Sequence, residues 1–230
     1  MIDVKDLEFG YPGGFRLHVK NLKVAAGESV ALTGPSGCGK TTLLHLIAGI
    51  LRADGGRIDV AGLDMAALGE NDRRDLRILK VGLVFQEFEL LEYLHVLDNV
   101  LLPYRLTSVL ELTDGVRARA ESLLRDVGLG GRLNRVPDRL SQGERQRVAL
   151  CRALVTSPTV VLGDEPTGNL DPANRDHVID TLLRYGRESG VSVLVVTHDH
   201  DLLGRFDRAI DIRDIAVTRD AEPTDAEVAR

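Results

Sequence analysis

Gly34, Pro35, Ser36, Gly37, Cys38, Gly39, Lys40, Thr41 and Thr42 follow an apolar run from Ser29 to Thr33 and precede a leucine-rich stretch from Leu43 to Ile50. They fit the pattern G-x-x-x-x-G-K-S/T, the P-loop, in which backbone N–H groups wrap a polyphosphate at the positive end of a helix. Gly34, Gly37 and Gly39 let the backbone take positive φ and approach phosphate oxygens with no Cβ in the way. In that chemistry the Lys40 ammonium reaches the β- and γ-phosphates and the Thr41 hydroxyl ligates Mg²⁺. The stretch predicts nucleotide binding, provided a strand leads into the loop and a helix leaves it.

A second chemical stretch is Thr159-Val-Val-Leu-Gly-Asp164-Glu165, with two carboxylates at the C-terminal end of an apolar run. Ligands of open α/β sheets bind at that edge. An Asp-Glu pair alone often just ends a strand, but downstream of a P-loop it suits catalysis. Asp164 is then the Mg²⁺ holder, and Glu165 polarises the water that attacks the γ-phosphate. Other positions admit two readings. Gln86 either ends a strand or faces the ligand edge. Tyr11, beside Pro12 and Gly13, is either a turn residue or a stacking surface for a purine. His198 and His200 alternate after a strand as a metal pair would, yet no Cys or third His stands near them to complete a zinc site. Ser141 followed by Glu144 is a capping box, and a capped helix start is also an anion site.

The elements that must position these residues follow from periodicity and turn chemistry. Ile2 to Phe9 and Phe15 to Val24 read as strands joined at Gly10-Tyr-Pro-Gly-Gly14. Arg57 to Val60 reads as a short strand, Glu70 to Leu79 as a polar helix, and Val81 to Phe85 as a buried strand. From Glu87 to about Pro158 the pattern is mainly helical, with Val96 to Leu106, Asp114 to Val127 and Gln142 to Leu154 each about three turns. Thr159 to Leu162 and Val191 to Thr197 are β-branched runs flanking a helix from Asn174 to Glu188, a βαβ unit that implies a parallel sheet. Arg208 to Val217 reads as a closing pair of strands. Residues 219–230, rich in Asp, Glu, Ala and Pro, read as a flexible acidic tail.

The chain's 230 residues suffice for one enlarged α/β domain. With 29 Lys and Arg against 35 Asp and Glu, the formal charge of −6 offers no basic excess for nucleic acid. Two cysteines make no disulfide framework; Cys38, at a helix N-terminus, is placed to react with alkylating reagents. The opening Met-Ile-Asp-Val-Lys-Asp has an early acid and no long apolar region, so no secretory signal is expected. No run reaches eighteen apolar residues, so no membrane span is expected either.

The P-loop, Gln86, Leu-Ser-Gln-Gly-Glu-Arg-Gln-Arg, Asp-Glu-Pro-Thr-Gly-Asn-Leu-Asp171 and Thr197-His198-Asp199, in that order, resemble the nucleotide-binding subunits of ABC transporters from about Ile2 to Val217. The resemblance implies a P-loop NTPase (RecA-like) α/β core with a mostly parallel sheet, an N-terminal antiparallel β subdomain and an inserted α-helical subdomain at about 87–158, together spanning 1–218. It implies an ATPase working as a head-to-tail dimer, with two ATP and Mg²⁺ between subunits. Carried over by position, Ser141 and Gly143 contact the γ-phosphate in the opposite subunit. Gln86 senses Mg²⁺ and the attacking water, His198 holds the γ-phosphate, Asp171 lies in the linking loop, and Tyr11 stacks on adenine. Lys40, Gln86, Glu165 and His198 form the catalytic set; Thr41, Gln86 and Asp164 form the metal set.

Two positions depart from the family's commonest signature: Gln142 stands for a glycine and Glu144 for a glutamine. The Glu144 charge is expected to be offset by Arg145 or Arg147. Glu87 to Leu106 carries more large apolar side chains than one buried face needs; many belong to the core of the helical subdomain, and an additional exposed patch would mark a protein interface. In the family this region receives the membrane permease, and the Asp-Asn-Val-Leu-Leu-Pro stretch looks most like the lipoprotein-releasing and macrolide-exporter branch. The expectation is thus a motor subunit at the cytoplasmic face of a membrane, coupled to permease subunits and not to nucleic acid. The alternative is a soluble ABC-type ATPase acting on nucleic acid or ribosomes.

Overall fold

The computed structural model describes residues 1–219. Strands β1 (Ile2–Gly10), β2 (Arg16–Val24) and β3 (Ser29–Thr33) lead through the glycine loop into helix α1 (Lys40–Ile47). Then come β4 (Gly55–Val60), β5 (Leu63–Asp64), α2 (Glu70–Lys80) and β6 (Val81–Val84). Helices α3 (Val96–Val100), α4 (Leu102–Arg105), α5 (Asp114–Asp126) and α6 (Gln142–Leu154) follow. The chain continues through β7 (Val160–Asp164), α7 (Pro172–Ser189), β8 (Ser192–Val196), β9 (Arg208–Asp211), α8 (Ile212–Ile215) and β10 (Ala216–Arg219). The predicted tail lies, from Asp220 on, outside the described residues.

Among the described residues two five-stranded sheets result, ordered β10-β2-β1-β4-β5 and β6-β7-β8-β3-β9. Every pairing in the second is parallel. Its three central strands are continuous apolar runs because both faces are covered, as parallel sheets require. The side chains divide by the two-residue period: Val30, Leu32, Val160, Leu162, Leu194 and Val196 join the core shared with α1 and the antiparallel sheet. Ala31, Val161, Val193 and Val195 join the opposite core, against α6 and α7. Fully burying each such Val or Leu contributes about 1.5–3 kcal/mol, so a one-residue slip that exchanged the faces would be heavily opposed.

The first sheet is antiparallel and open to solvent on one side, hence its alternating pattern. That alternation breaks once, where the β1–β4 register shifts between Lys5 and Glu8. Asp6 there has φ 45°, and Gly56 opposite has φ 82°. A Cβ on Gly56 would stand 2.2 Å from the Asp6 carbonyl oxygen, so this bulge can form only against glycine.

Two expectations need correction. Residues 96–106 form two short helices, α3 and α4, because Pro103 opens the second one and cannot donate the N–H that would continue the first. Arg208 to Val217 does give two strand segments, but they do not pair with each other. β9 pairs in parallel with β3, whereas β10 pairs antiparallel with β2, and α8 turns the chain from one sheet to the other. The α3–α6 region has its own core of Val96, Val100, Leu101, Leu124, Val148 and Cys151. No helix among the described residues is long and apolar enough to cross a membrane.

Helix α6 lies so close to β6 that a Cβ on Gly82 would meet the Ala153 carbonyl oxygen at 2.4 Å. Gly82→Ala is therefore expected to destabilise the fold by about 1–3 kcal/mol through overpacking, read as a lower urea midpoint at unchanged slope. A midpoint equal to the parent's would show that β6 and α6 do not pack at this distance.

Candidate active site

The glycine loop has the geometry that its composition predicts. Gly34, Gly37 and Gly39 have φ of 142°, 77° and 90°, values that L side chains rarely adopt. Space restricts two of them further. A Cβ on Gly34 would lie 2.7 Å from Ile212, and one on Gly39 would lie 3.1 Å from both Phe15 and Leu17. Lys40, only 8% exposed, donates from Nζ to the carbonyls of Gly34 (2.8 Å) and Pro35 (2.7 Å). Its ammonium is thus held along the inner side of the loop. The Cys38 thiol donates to the same Pro35 carbonyl at 2.7 Å.

Because the strands of the second sheet run in parallel, their C-terminal ends share one edge. β3 delivers the loop there, β7 delivers Asp164 and Glu165, β8 delivers Thr197 and His198, and β6 delivers Gln86. Thr41 Oγ1 donates to Asp164 Oδ1 at 3.1 Å, which joins loop and carboxylate directly. Burial raises the pKa of Asp164, and the Thr41 hydrogen bond opposes that shift. Glu165 leaves the strand at φ 45°, a left-handed conformation uncommon outside glycine, while its N–H donates to the Val196 carbonyl at 3.0 Å. This turn aims its side chain at β8, where Oε2 lies 3.0 Å from His198 Nδ1. Gln86 Nε2 and Glu165 Oε2 both come within 3.5 Å of the point where a Cβ on Gly168 would stand.

Tyr11 and Phe15 flank a cavity of about 430 Å³ whose remaining wall includes Ser36, Lys40, Thr42 and Glu165. Tyr11 stands edge-on to Phe9, with ring centroids 4.8 Å apart, and is 41% exposed, so part of its ring stays open to the cavity. Phe15 was not among the predicted site residues. The signal was an aromatic directly after Gly13-Gly14, at the same turn as Tyr11. His200 forms no metal cluster with His198: among the described residues no three His, Cys, Asp or Glu groups are placed to hold an ion.

Ser141 and Gly143 line neither this cavity nor the smaller one beside His198. They stand at the start of α6, where both bonds of the capping box form: Ser141 Oγ accepts from the Glu144 N–H and Glu144 Oε2 accepts from the Ser141 N–H. That backbone bond holds the Glu144 carboxyl below its ordinary pKa. Its counter-ion is Arg132 at 3.2 Å, and not Arg145 or Arg147 as expected. Those two side chains turn elsewhere, to the Pro137 carbonyl and to Asn174 Oδ1. Gly143 is buried against Asn174, whose own side chain donates to Asp171 at 2.6 Å. Asp171 caps α7 through the Asn174 N–H.

Comparison with known proteins bears on the chain's family and fold. Residues 17–168 match the ABC transporter family. The lipoprotein-releasing system ATP-binding protein LolD of Paramagnetospirillum magneticum is 49% identical over 191 residues, covering 83% of each chain. LolD of Ruegeria pomeroyi is 46% identical over 207 residues, covering 89% of this chain and 90% of that protein. Among solved structures, the dimeric ATP-binding cassette MJ0796 in a post-hydrolysis state with ADP and Pi superposes with a TM-score of 0.81 at 31% identity, over 92% of this chain and 94% of that one. A second dimeric structure of the same bacterial ABC transporter cassette gives 0.83 at 30% identity, over 97% and 100%.

The two thiols are expected to differ sharply. Cys151 is 1% exposed and burial raises its pKa, so iodoacetamide should label Cys38 alone in the native protein and both thiols after denaturation. Cys38 Sγ lies 3.8 Å from Lys40 Nζ, and an added carbamidomethyl group would crowd the loop where the ammonium sits. Labelled protein should lose fluorescent-nucleotide binding, and ATP should slow the labelling. Unchanged binding after complete modification would remove the link between this thiol and the site.

Proposed function

The chain belongs to the ABC transporter family as an ATP-hydrolysing cassette, and on that premise we propose that it drives a lipoprotein-releasing permease from the cytoplasmic face of a membrane, two copies closing head to tail around two Mg²⁺–ATP. The observation that carries the hydrolytic part is the pairing of Thr41 with Asp164 and of Glu165 with His198 at one sheet edge, beside the glycine loop.

Each side chain then has a physical task. The loop N–H groups and Lys40 offset the charge of the β- and γ-phosphates. The Thr41 hydroxyl and the Asp164 carboxylate are adjacent hard oxygen donors, which suits Mg²⁺, a cation that keeps few protein ligands and several waters. When bound, Mg²⁺ neutralises charge on the phosphate oxygens. Glu165 accepts the proton of the attacking water, Gln86 orients that water, and His198, tied to Glu165 through Nδ1, leaves its other ring nitrogen for the γ-phosphate. The Ser141 hydroxyl accepts its capping bond from Glu144 and keeps its hydrogen for the γ-phosphate in the opposite copy. The Gly143 N–H acts beside it, at the positive start of α6. Asp171 belongs to the loop that joins the two sites, and Tyr11 stacks on adenine with Phe15 beside it.

A groove of about 400 Å³, lined in part by Arg77, Phe85, Leu102, Leu106 and Arg152, is the proposed seat of the permease. Leu106 is 65% exposed there, and Tyr93 nearby in sequence is 78% exposed, more apolar surface than the helical core requires. The groove abuts the Gln86 segment, so a partner seated in it touches the same backbone that carries a catalytic group.

Lys40→Ala is expected to abolish measurable nucleotide affinity. Glu165→Gln should retain it, slow hydrolysis by on the order of 10²–10⁴, and accumulate an ATP-bound dimer on size exclusion. Hydrolysis by Glu165→Gln at the parental rate would show that Glu165 is not the base. Tagged Glu165→Gln, incubated with ATP and Mg²⁺ and recovered from detergent-solubilised source membranes, should bring down a multi-spanning membrane protein in near-stoichiometric amount. Recovery of ribosomes or nucleic acid instead would move the assignment to a soluble ATPase.

A further inference from the structure

We infer that Gln146, a buried residue of α6 outside the catalytic set, is a positioning residue that sets the placement of Gln86 relative to Glu165. Its side chain is 0% exposed. One amide nitrogen, Nε2, donates to the Pro166 carbonyl and, more distantly at 3.5 Å, to that of Phe85. Pro166 directly follows Glu165, and Phe85 directly precedes Gln86. A single side chain therefore ties the backbone beside the proposed base to the backbone beside the residue that orients its water.

The chemistry at position 146 is specific. Two carbonyl acceptors call for two N–H donors, which glutamine supplies through Nε2 and an ionised glutamate or an apolar isostere does not, while Gln146 Oε1 has no partner among the described residues. The same helix holds the far end of the Gln86 segment, since Arg152 donates to the Phe88 carbonyl at 2.8 Å and to that of Glu89. Gln146 and Arg152 thus fasten the segment Phe85–Glu89 to α6 on both sides of Gln86. Between these anchors Gln86 itself is exposed, and its carbonyl accepts from Asn169 Nδ2 at 3.4 Å. The left-handed turn at Glu165 is braced in turn by its N–H to Val196 and by the Gln146 bond one residue later. Loss of the amide frees both backbones while every side chain of the catalytic set remains in the protein.

This inference rests on the catalytic roles proposed for Gln86 and Glu165, and its test separates the two. ATP turnover, fluorescent-nucleotide affinity and thermal midpoint are compared for the parent, Glu165→Gln, Gln146→Met, Gln146→Asn and Val148→Ala, the last being a cavity in the same helix away from the strap. Gln146→Met should lower kcat on the order of 10- to 100-fold with KM for ATP and nucleotide affinity kept, as a displaced reacting geometry does. Gln146→Asn, which keeps both hydrogens but withdraws them by one methylene, should show the same split and carries the test if the Met variant does not fold. Val148→Ala should lower the midpoint while keeping the parental kcat. Adding Gln146→Met to Gln86→Ala should cost less than the product of the two separate losses. A parental kcat in either folded Gln146 variant, an equal kcat loss in Val148→Ala, or simple multiplication in the double variant would overturn the inference. Equal turnover by the parent and Glu165→Gln would instead overturn the assignment of the base.

Discussion

Parallel pairing of β7 with β8 is the interaction on which the reactive edge depends. Asp164 stands opposite Val196, so the first residues beyond each strand, Glu165 and Thr197-His198, emerge side by side with no loop needed to bring them together. β3 pairs with the other side of β8 and brings the glycine loop to the same edge. Each ladder bond contributes only about 0.5–1.5 kcal/mol net, but an unmade one in a sheet covered on both faces would cost more, so the register is held tightly. The geometry of this edge is inherited from backbone register, which is why short side chains such as Thr41 and Asp164 meet at 3.1 Å.

Against that rigid frame the edge holds one locally costly feature. Glu165 occupies left-handed backbone space, a conformation that costs a non-glycine residue on the order of 1–3 kcal/mol, directly before a proline. The surrounding hydrogen bonds over-determine it: Glu165 N–H to Val196, Gly168 N–H back to the Glu165 carbonyl, and Gln146 to Pro166. The cost is tolerated where the side chain must leave the strand direction and face its histidine.

The sheet core and the reactive edge were legible in the sequence because both are local. A strand, a glycine loop and a helix lie within twenty residues around Lys40, and the Asp164-Glu165 pair ends its own apolar run. The Ser141–Glu144 capping box was legible for the same reason. What escaped were arrangements set by distant partners. Pro103 was visible, yet the apolar spacing across it suggested a continuous helix. Arg208 to Val217 has strand composition at both ends, but which sheet each half joins depends on β2 and β3, far away in the chain. Arg132 as partner of Glu144 is likewise a matter of how one loop folds over α6, and Arg145, the nearer residue, points to Pro137 instead.

The division of the last described strands between two sheets bears on how the protein is made. β3, the strand that carries the glycine loop, has as its neighbours only β8 and β9, and Ser29 is closed off by Asp207, 178 positions downstream. During synthesis the loop therefore emerges long before the strands that flank it, and its supporting sheet is completed only after β8 and β9 have left the ribosome. Such long-range closure makes folding slow, since the loop entropy is spent before the contacts form. It also means that a nascent chain exposes the apolar flanks of β3 for most of its elongation, when a chaperone has most to cover.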